Sequence, residues 1–183
     1  MSLVFKNPVW PHYFADPFVL RHGGEYFAYG TGEKKYRAPD GRAYAFEILR
    51  SADLVHWKSA GGALETPADE IEEEVFWAPE VAKCGGQFFL YYSSAPKQRD
   101  ELHRIRVAMG KTPIGPFIAS RDAVLPANEG FCIDAHPFRD PRDGAWYWNH
   151  AGRIGSASRR SAACRKALAP GPLPLTAVRP PGY

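Results

Sequence analysis

The sequence is poor in sulfur and has no long apolar stretch. Its three cysteines, Cys84, Cys132 and Cys164, are scattered without zinc-ligand spacing, and an odd number argues against a disulfide framework, so buried or incidental thiols are expected. No run of 18 apolar residues occurs, and residues 1–10 lack the basic start and apolar stretch of a secretory leader. The expectation is a soluble chain, cytoplasmic by default, with no membrane partner. There is no Gly-rich phosphate loop and no nucleophile elbow. Acidic residues are missing from one region only. All 20 Asp and Glu precede Asn149; beyond it come six basic residues and a single aromatic, Tyr183. The net charge of +3 therefore averages a segment of net −3 with a basic tail. That is not the clustered basic face a nucleic-acid partner would need.

What is present is a repeat. Pro17-Phe-Val-Leu-Arg-His-Gly-Gly-Glu-Tyr26-Phe27 aligns with Pro79-Glu-Val-Ala-Lys-Cys-Gly-Gly-Gln-Phe88-Phe89 at an offset of 62. A third copy, Pro137 to Tyr147, aligns with the second at an offset of 58. Each copy reads as strand, Gly-containing turn, aromatic strand, which is hairpin chemistry. Further strands are expected at residues 45–50, 57–64, 105–109 and 116–124, making about four per unit. Four-stranded units repeated radially are propeller blades. Unrelated hairpins in a sandwich are the plainer alternative, but the aromatics, the Gly pair and the proline keep register together.

The fold class expected is thus all-β, a partial β-propeller of about two and a half blades over residues 1–148. Residues 149–183 form a divergent Pro/Arg-rich tail in which strands are not expected, since five prolines fall between Pro170 and Pro181. Either a natural disordered tail or a change of reading frame would produce it.

Innermost blade strands line a central channel, and side chains alternate faces with period two. Counted from the repeat prolines, Asp16, Glu80, Asp134 and His136 all lie at odd offsets. Unless a bulge intervenes, they share one face, and three carboxylates meet in one cavity. Glycoside cleavage uses paired carboxylates, roughly 6.5–9.5 Å apart in the inverting geometry. A further carboxylate can raise the pKa of its neighbour. Each residue also has a structural explanation: Asp16 as a turn starter, Glu80 as a strand-start acceptor, Asp134 as a turn residue, His136 and Trp77 as core. Trp77 beside such a cavity could equally stack on a sugar. The acidic run Glu70-Ile-Glu-Glu-Glu74 reads as a solvated loop.

Phe14-Ala-Asp-Pro-Phe-Val19, Tyr26-Phe-Ala-Tyr-Gly-Thr31, Asp53-Leu-Val-His-Trp57, Phe76-Trp-Ala-Pro-Glu-Val81 and Ile133-Asp-Ala-His-Pro-Phe138, in that order, resemble glycoside hydrolase family 43. The resemblance covers about residues 7–147. It implies a five-bladed propeller and inverting hydrolysis of α-L-arabinofuranosides or β-D-xylosides in plant polysaccharides. It implies Asp16 as general base and Asp134 as the residue that tunes the general acid. Trp77, Glu80 and His136 would contact the substrate. The family's general acid is a glutamate of a later blade. Glu129-Gly130 has the local look of it but precedes Asp134 and is not assigned, so the acid is absent from this chain and activity is unproven. No cofactor is implied, although a structural calcium ion is compatible with the resemblance; a carbohydrate is the expected partner. A non-catalytic carbohydrate-binding propeller is the alternative. A sialidase is disfavoured, because the segment 51–57 lacks the glycine of that family's Asp box.

Overall fold

The computed structural model describes residues 5–32, 36–67, 70–124, 131–142, 144, 146–152 and 165–166. The first antiparallel unit contains β1 (Ala15–His22), β2 (Glu25–Thr31), β4 (Ala43–Ser51) and β5 (Lys58–Thr66), with the short β3 (Tyr36–Arg37) on the side of β4. The second contains β6 (Glu74–Cys84), β7 (Gln87–Pro96), β8 (Arg104–Gly110) and β9 (Phe117–Val124). A third begins with β10 (Cys132–Arg139) and β11 (Trp146–Gly152), and β12 (Arg165–Lys166) pairs with β11. These are two blades and the start of a third, as the repeat implies. Among the described residues no helix is long and apolar enough to cross a membrane.

The apolar pattern explains the stacking of the blades. β7 is apolar at successive positions rather than at alternate ones, the mark of a strand covered on both faces. Phe88, Leu90 and Tyr92 point into a core shared with Phe27, Tyr29, Ile48, Leu64 and Phe117. Phe89 and Tyr91 point the other way, into a core with Ala82, Ile105, Val107, Cys132 and Ala135. Blade two is therefore sandwiched between blades one and three. Blades one and two are also joined by a short parallel pairing, Leu64 with Phe117 and Glu65 with Ile118. The Tyr29 hydroxyl crosses the same junction and donates to the Pro113 carbonyl at 2.5 Å.

The turn into β9 has no room for a side chain at Gly115. Its φ is +73°, and a Cβ there would lie 2.8 Å from the Ala63 carbonyl oxygen. Gly115→Ala is expected to destabilise the chain by at least the ~1–3 kcal/mol of a forced left-handed residue. A chemical denaturation midpoint equal to the parent's would refute this.

Three expectations change. The offset of 58 holds for the outer strand of the third hairpin, where Trp146 pairs with Arg139 as Phe88 pairs with Lys83. On the inner strand Asp134 corresponds to Ala78, an offset of 56, because both follow the residue at which the register shifts. Ala135, not Pro137, thus stands where Pro79 does, and the two extra residues lie in the turn between β10 and β11. The acidic run is not a solvated loop: Glu70–Glu73 forms α1, Ile71 is fully buried, and Glu70 and Glu74 pair with Arg106 at 3.6 and 3.3 Å. Finally, β11 runs three residues past Asn149 and β12 lies further on, so strand pairing crosses the boundary expected at residue 148. Glu129, Cys164 and the prolines from Pro170 onward fall outside the described residues.

Candidate active site

The inner strands β1, β6 and β10 lie side by side in that order. Each carries a bulge at the same place. Register shifts occur between Ala15 and Phe18, between Trp77 and Glu80, and between Ile133 and His136. At the first residue inside each bulge the backbone is left-handed: φ is 47° at Asp16, 45° at Ala78 and 56° at Asp134. A non-glycine residue there costs about 1–3 kcal/mol and persists only where its surroundings enforce it. The same pose in three blades identifies a built feature of the fold, since bulges re-aim side chains.

The bulges replace simple alternation as the reason the carboxylates converge. Asp16 and Asp134 occupy equivalent bulge positions in blades one and three. Glu80 and His136 occupy a second equivalent pair, two residues further on, where blade one has Phe18 turned toward the core. The His136 Nδ1 and a Glu80 carboxylate oxygen lie 2.7 Å apart, joining blades two and three. Asp134 feels the charge of Asp16, and Glu80 feels that of Asp134. Five residues singled out from the sequence therefore fall in one region: Asp16, Glu80, Asp134 and His136 interact directly or electrostatically, and Trp77 immediately precedes the bulge residue Ala78.

The electrostatics follow from this crowding. Desolvation raises the Asp134 carboxyl above the ordinary aspartate range, and the Asp16 charge adds to the shift while His103 opposes it. Glu80 is raised by burial; the His136 hydrogen bond and charge pull it back, and Asp134 pushes it up again. Asp16→Asn should therefore let Asp134 titrate at lower pH, because one of the charges opposing its ionisation is gone. Carboxyl carbon NMR across an acid titration measures this, and an unmoved Asp134 midpoint would disprove the coupling.

One participant has no motif in the sequence. His103, between the 3-10 turn Asp100–Leu102 and β8, is fully buried, and Trp77 stacks on it with ring centroids 3.7 Å apart and planes 24° from parallel. Its Nδ1 lies 2.8 Å from the Asp100 carbonyl oxygen, which can only accept, so Nδ1 carries a proton and donates it. The His103 carbonyl receives the Cys132 N–H at 3.1 Å, tying β10 to blade two just before Asp134. The stack covers one face of the Trp77 indole. A cleft of about 450 Å³ opens beside it, lined by Tyr13, Thr31, Phe46, Glu74, Trp77 and Lys97 among others. Among the described residues no group of three or more His, Cys, Asp or Glu side chains could hold a metal ion.

Known proteins resemble this chain in sequence and in fold. The chain is 29% identical over 129 residues to the "Probable arabinan endo-1,5-alpha-L-arabinosidase B" of Aspergillus oryzae, covering 68% of this chain and 33% of that protein. It is 27% identical over 140 residues to the "Extracellular exo-alpha-(1->5)-L-arabinofuranosidase" of Streptomyces chartreusis, covering 73% and 40%. The crystal structure of a thermostable family-43 glycoside hydrolase superposes with a TM-score of 0.64 at 31% identity, covering 80% of this chain and 44% of that one. The chain thus spans about a third to less than half of the relatives it matches. The sequence model of glycosyl hydrolases family 43 matches residues 5–166, and with that match over most of its length the chain belongs to this family.

Proposed function

We propose that this chain takes part in inverting hydrolysis of glycosidic bonds in arabinose- or xylose-containing plant polysaccharides or oligosaccharides. The observation that carries the proposal is the matched pair of bulges presenting Asp16 and Asp134 from blades one and three. Asp16, exposed and hydrogen-bonded to Thr31 at 3.0 Å, is the general base that activates water. Asp134, its carboxyl raised by burial and by Asp16, tunes the acid. Trp77 offers a flat apolar platform for a sugar ring, and the linked Glu80 and His136 supply hydroxyl-binding groups. Carboxylates and water suffice for this chemistry, with no cofactor called for.

The general acid in this proposal is a glutamate of a later blade. The alternative, from the binding class, is a propeller that holds arabinose- or xylose-containing chains without cutting them. Incubating the full chain with aryl α-L-arabinofuranoside and aryl β-D-xyloside separates the two. Turnover that vanishes in Asp16→Asn supports the glycosidase. Sugar binding without turnover, surviving Asp16→Asn, supports the binding module.

A further inference from the structure

We infer that Thr31 is a positioning residue that orients Asp16 and couples it to the second blade, an assignment that rests on Asp16 being the general base. Thr31 ends β2 directly opposite Ala15, beside the bulge. Its Oγ1 accepts the backbone N–H of Ala78 at 2.8 Å and lies 3.0 Å from Asp16 Oδ2. A threonine hydroxyl has one proton to give. With the Ala78 N–H filling a lone pair, that proton goes to the Asp16 carboxylate, a charge-assisted bond stronger than a neutral one. The direction is fixed by chemistry: Ala78 N–H donates to Thr31, and Thr31 O–H donates to Asp16.

The relay ends on the backbone that matters most. Ala78 is the bulge residue of β6, between Trp77 and Glu80. One hydroxyl thus ties the candidate base of blade one to the segment of blade two that carries two candidate sugar contacts.

A second copy of half the device shows that it belongs to the fold. Ser93 stands opposite Trp77 as Thr31 stands opposite Ala15, and its Oγ accepts the N–H of Asp134 at 3.2 Å. Each hydroxyl therefore receives the bulge N–H of the following blade. Among the described residues it is in blade one that the hydroxyl also faces a carboxylate, because blade two has Ala78 where blade one has Asp16. Ser93 serves blade stacking alone, whereas Thr31 serves stacking and the acid–base site. Position 151, opposite Ile133, is the corresponding site in blade three, and there Ala151 has no hydroxyl to offer.

The test uses the full chain, with Thr31→Val removing the hydroxyl at similar size and Thr31→Ser restoring it. Misplacing a catalytic group by about 1 Å can cost on the order of 100-fold in rate. On aryl arabinofuranoside, Thr31→Val is expected to lower kcat by about 10- to 100-fold with KM little changed, and Thr31→Ser to recover it. Hydrolysis that survives Thr31→Val while Asp16→Asn abolishes it overturns the positioning role. The second measurement needs no turnover. The Ala78 amide resonance in the parent and in Thr31→Ser should move as Asp16 ionises, and it should stop responding in Thr31→Val and in Asp16→Asn. Asp134 on β10 also acts on Asp16, with Glu80 on β6 and His136 on β10 beyond it. In Asp134→Asn the Ala78 response should persist, which separates the two carboxylates. An Ala78 amide that ignores pH in the parent, or still follows it in Thr31→Val, overturns the relay. A parent chain that hydrolyses nothing defeats the glycosidase proposal but leaves the relay to be decided by this amide.

Discussion

Asparagine in place of Asp16 is expected to lower hydrolysis of aryl arabinofuranoside or xyloside by about 100- to 10,000-fold, the usual contribution of a general base. The substitution keeps shape and removes charge. Its side-chain oxygen can still accept the Thr31 hydroxyl, so the bulge has no reason to relax. Asp16 is exposed, and the buried residues between blades one and two do not include it. A cooperative thermal melt like the parent's should therefore accompany the lost rate. Steady-state kinetics beside a circular dichroism melt checks both. A variant that melts like the parent and hydrolyses at the parent's rate would remove Asp16 from the chemistry.

Phe117→Ala should cost about 3–5 kcal/mol, the range for deleting a buried aromatic ring. Phe117 is fully buried, and it meets Tyr29 edge-on with ring centroids 6.4 Å apart. Gly110 and Gly115 lie against its ring, so no neighbouring side chain on that side can swing in to fill the void. Its backbone pairs with Leu64 of the first blade. The deletion therefore opens a cavity at the junction of two blades. Ile118 is the internal control. It pairs with Glu65 in the same short ladder but is 50% exposed, so Ile118→Ala should stay within about 0.5 kcal/mol of the parent. Urea unfolding of the two variants reads the contrast, and equal midpoints would show that Phe117 does not hold the junction.

The fold was legible because its signals are local and repeated. Gly23-Gly24 and Gly85-Gly86 set two turns, and the unbroken apolar run of β7 already announces burial on both faces. The site was legible as a set of residues but not as a geometry. Parity predicted convergence from simple alternation, whereas the chain converges through bulges, and a bulge leaves no mark in composition when Asp, Ala and Asp fill it. The third hairpin hid its true register because Pro137 offered a false anchor. Two added turn residues then shifted the inner strand relative to the outer one. His103 escaped for a different reason: a buried histidine beneath a tryptophan has no sequence signature, since its partners come from β6 and from the entry to β10. The acidic run misled because charge counts ignore Ile71 and the nearby guanidinium of Arg106.

The shared left-handed pose at residues 16, 78 and 134 also separates scaffold from chemistry. Since the main chain takes up the same conformation around Asp, Ala and Asp, the side chain does not create the bulge; it occupies it. The sockets of blades two and three are held by hydroxyls, Thr31 and Ser93, reaching from the blade before. A propeller built this way can move a carboxylate from blade to blade by a single codon change without redesigning a loop.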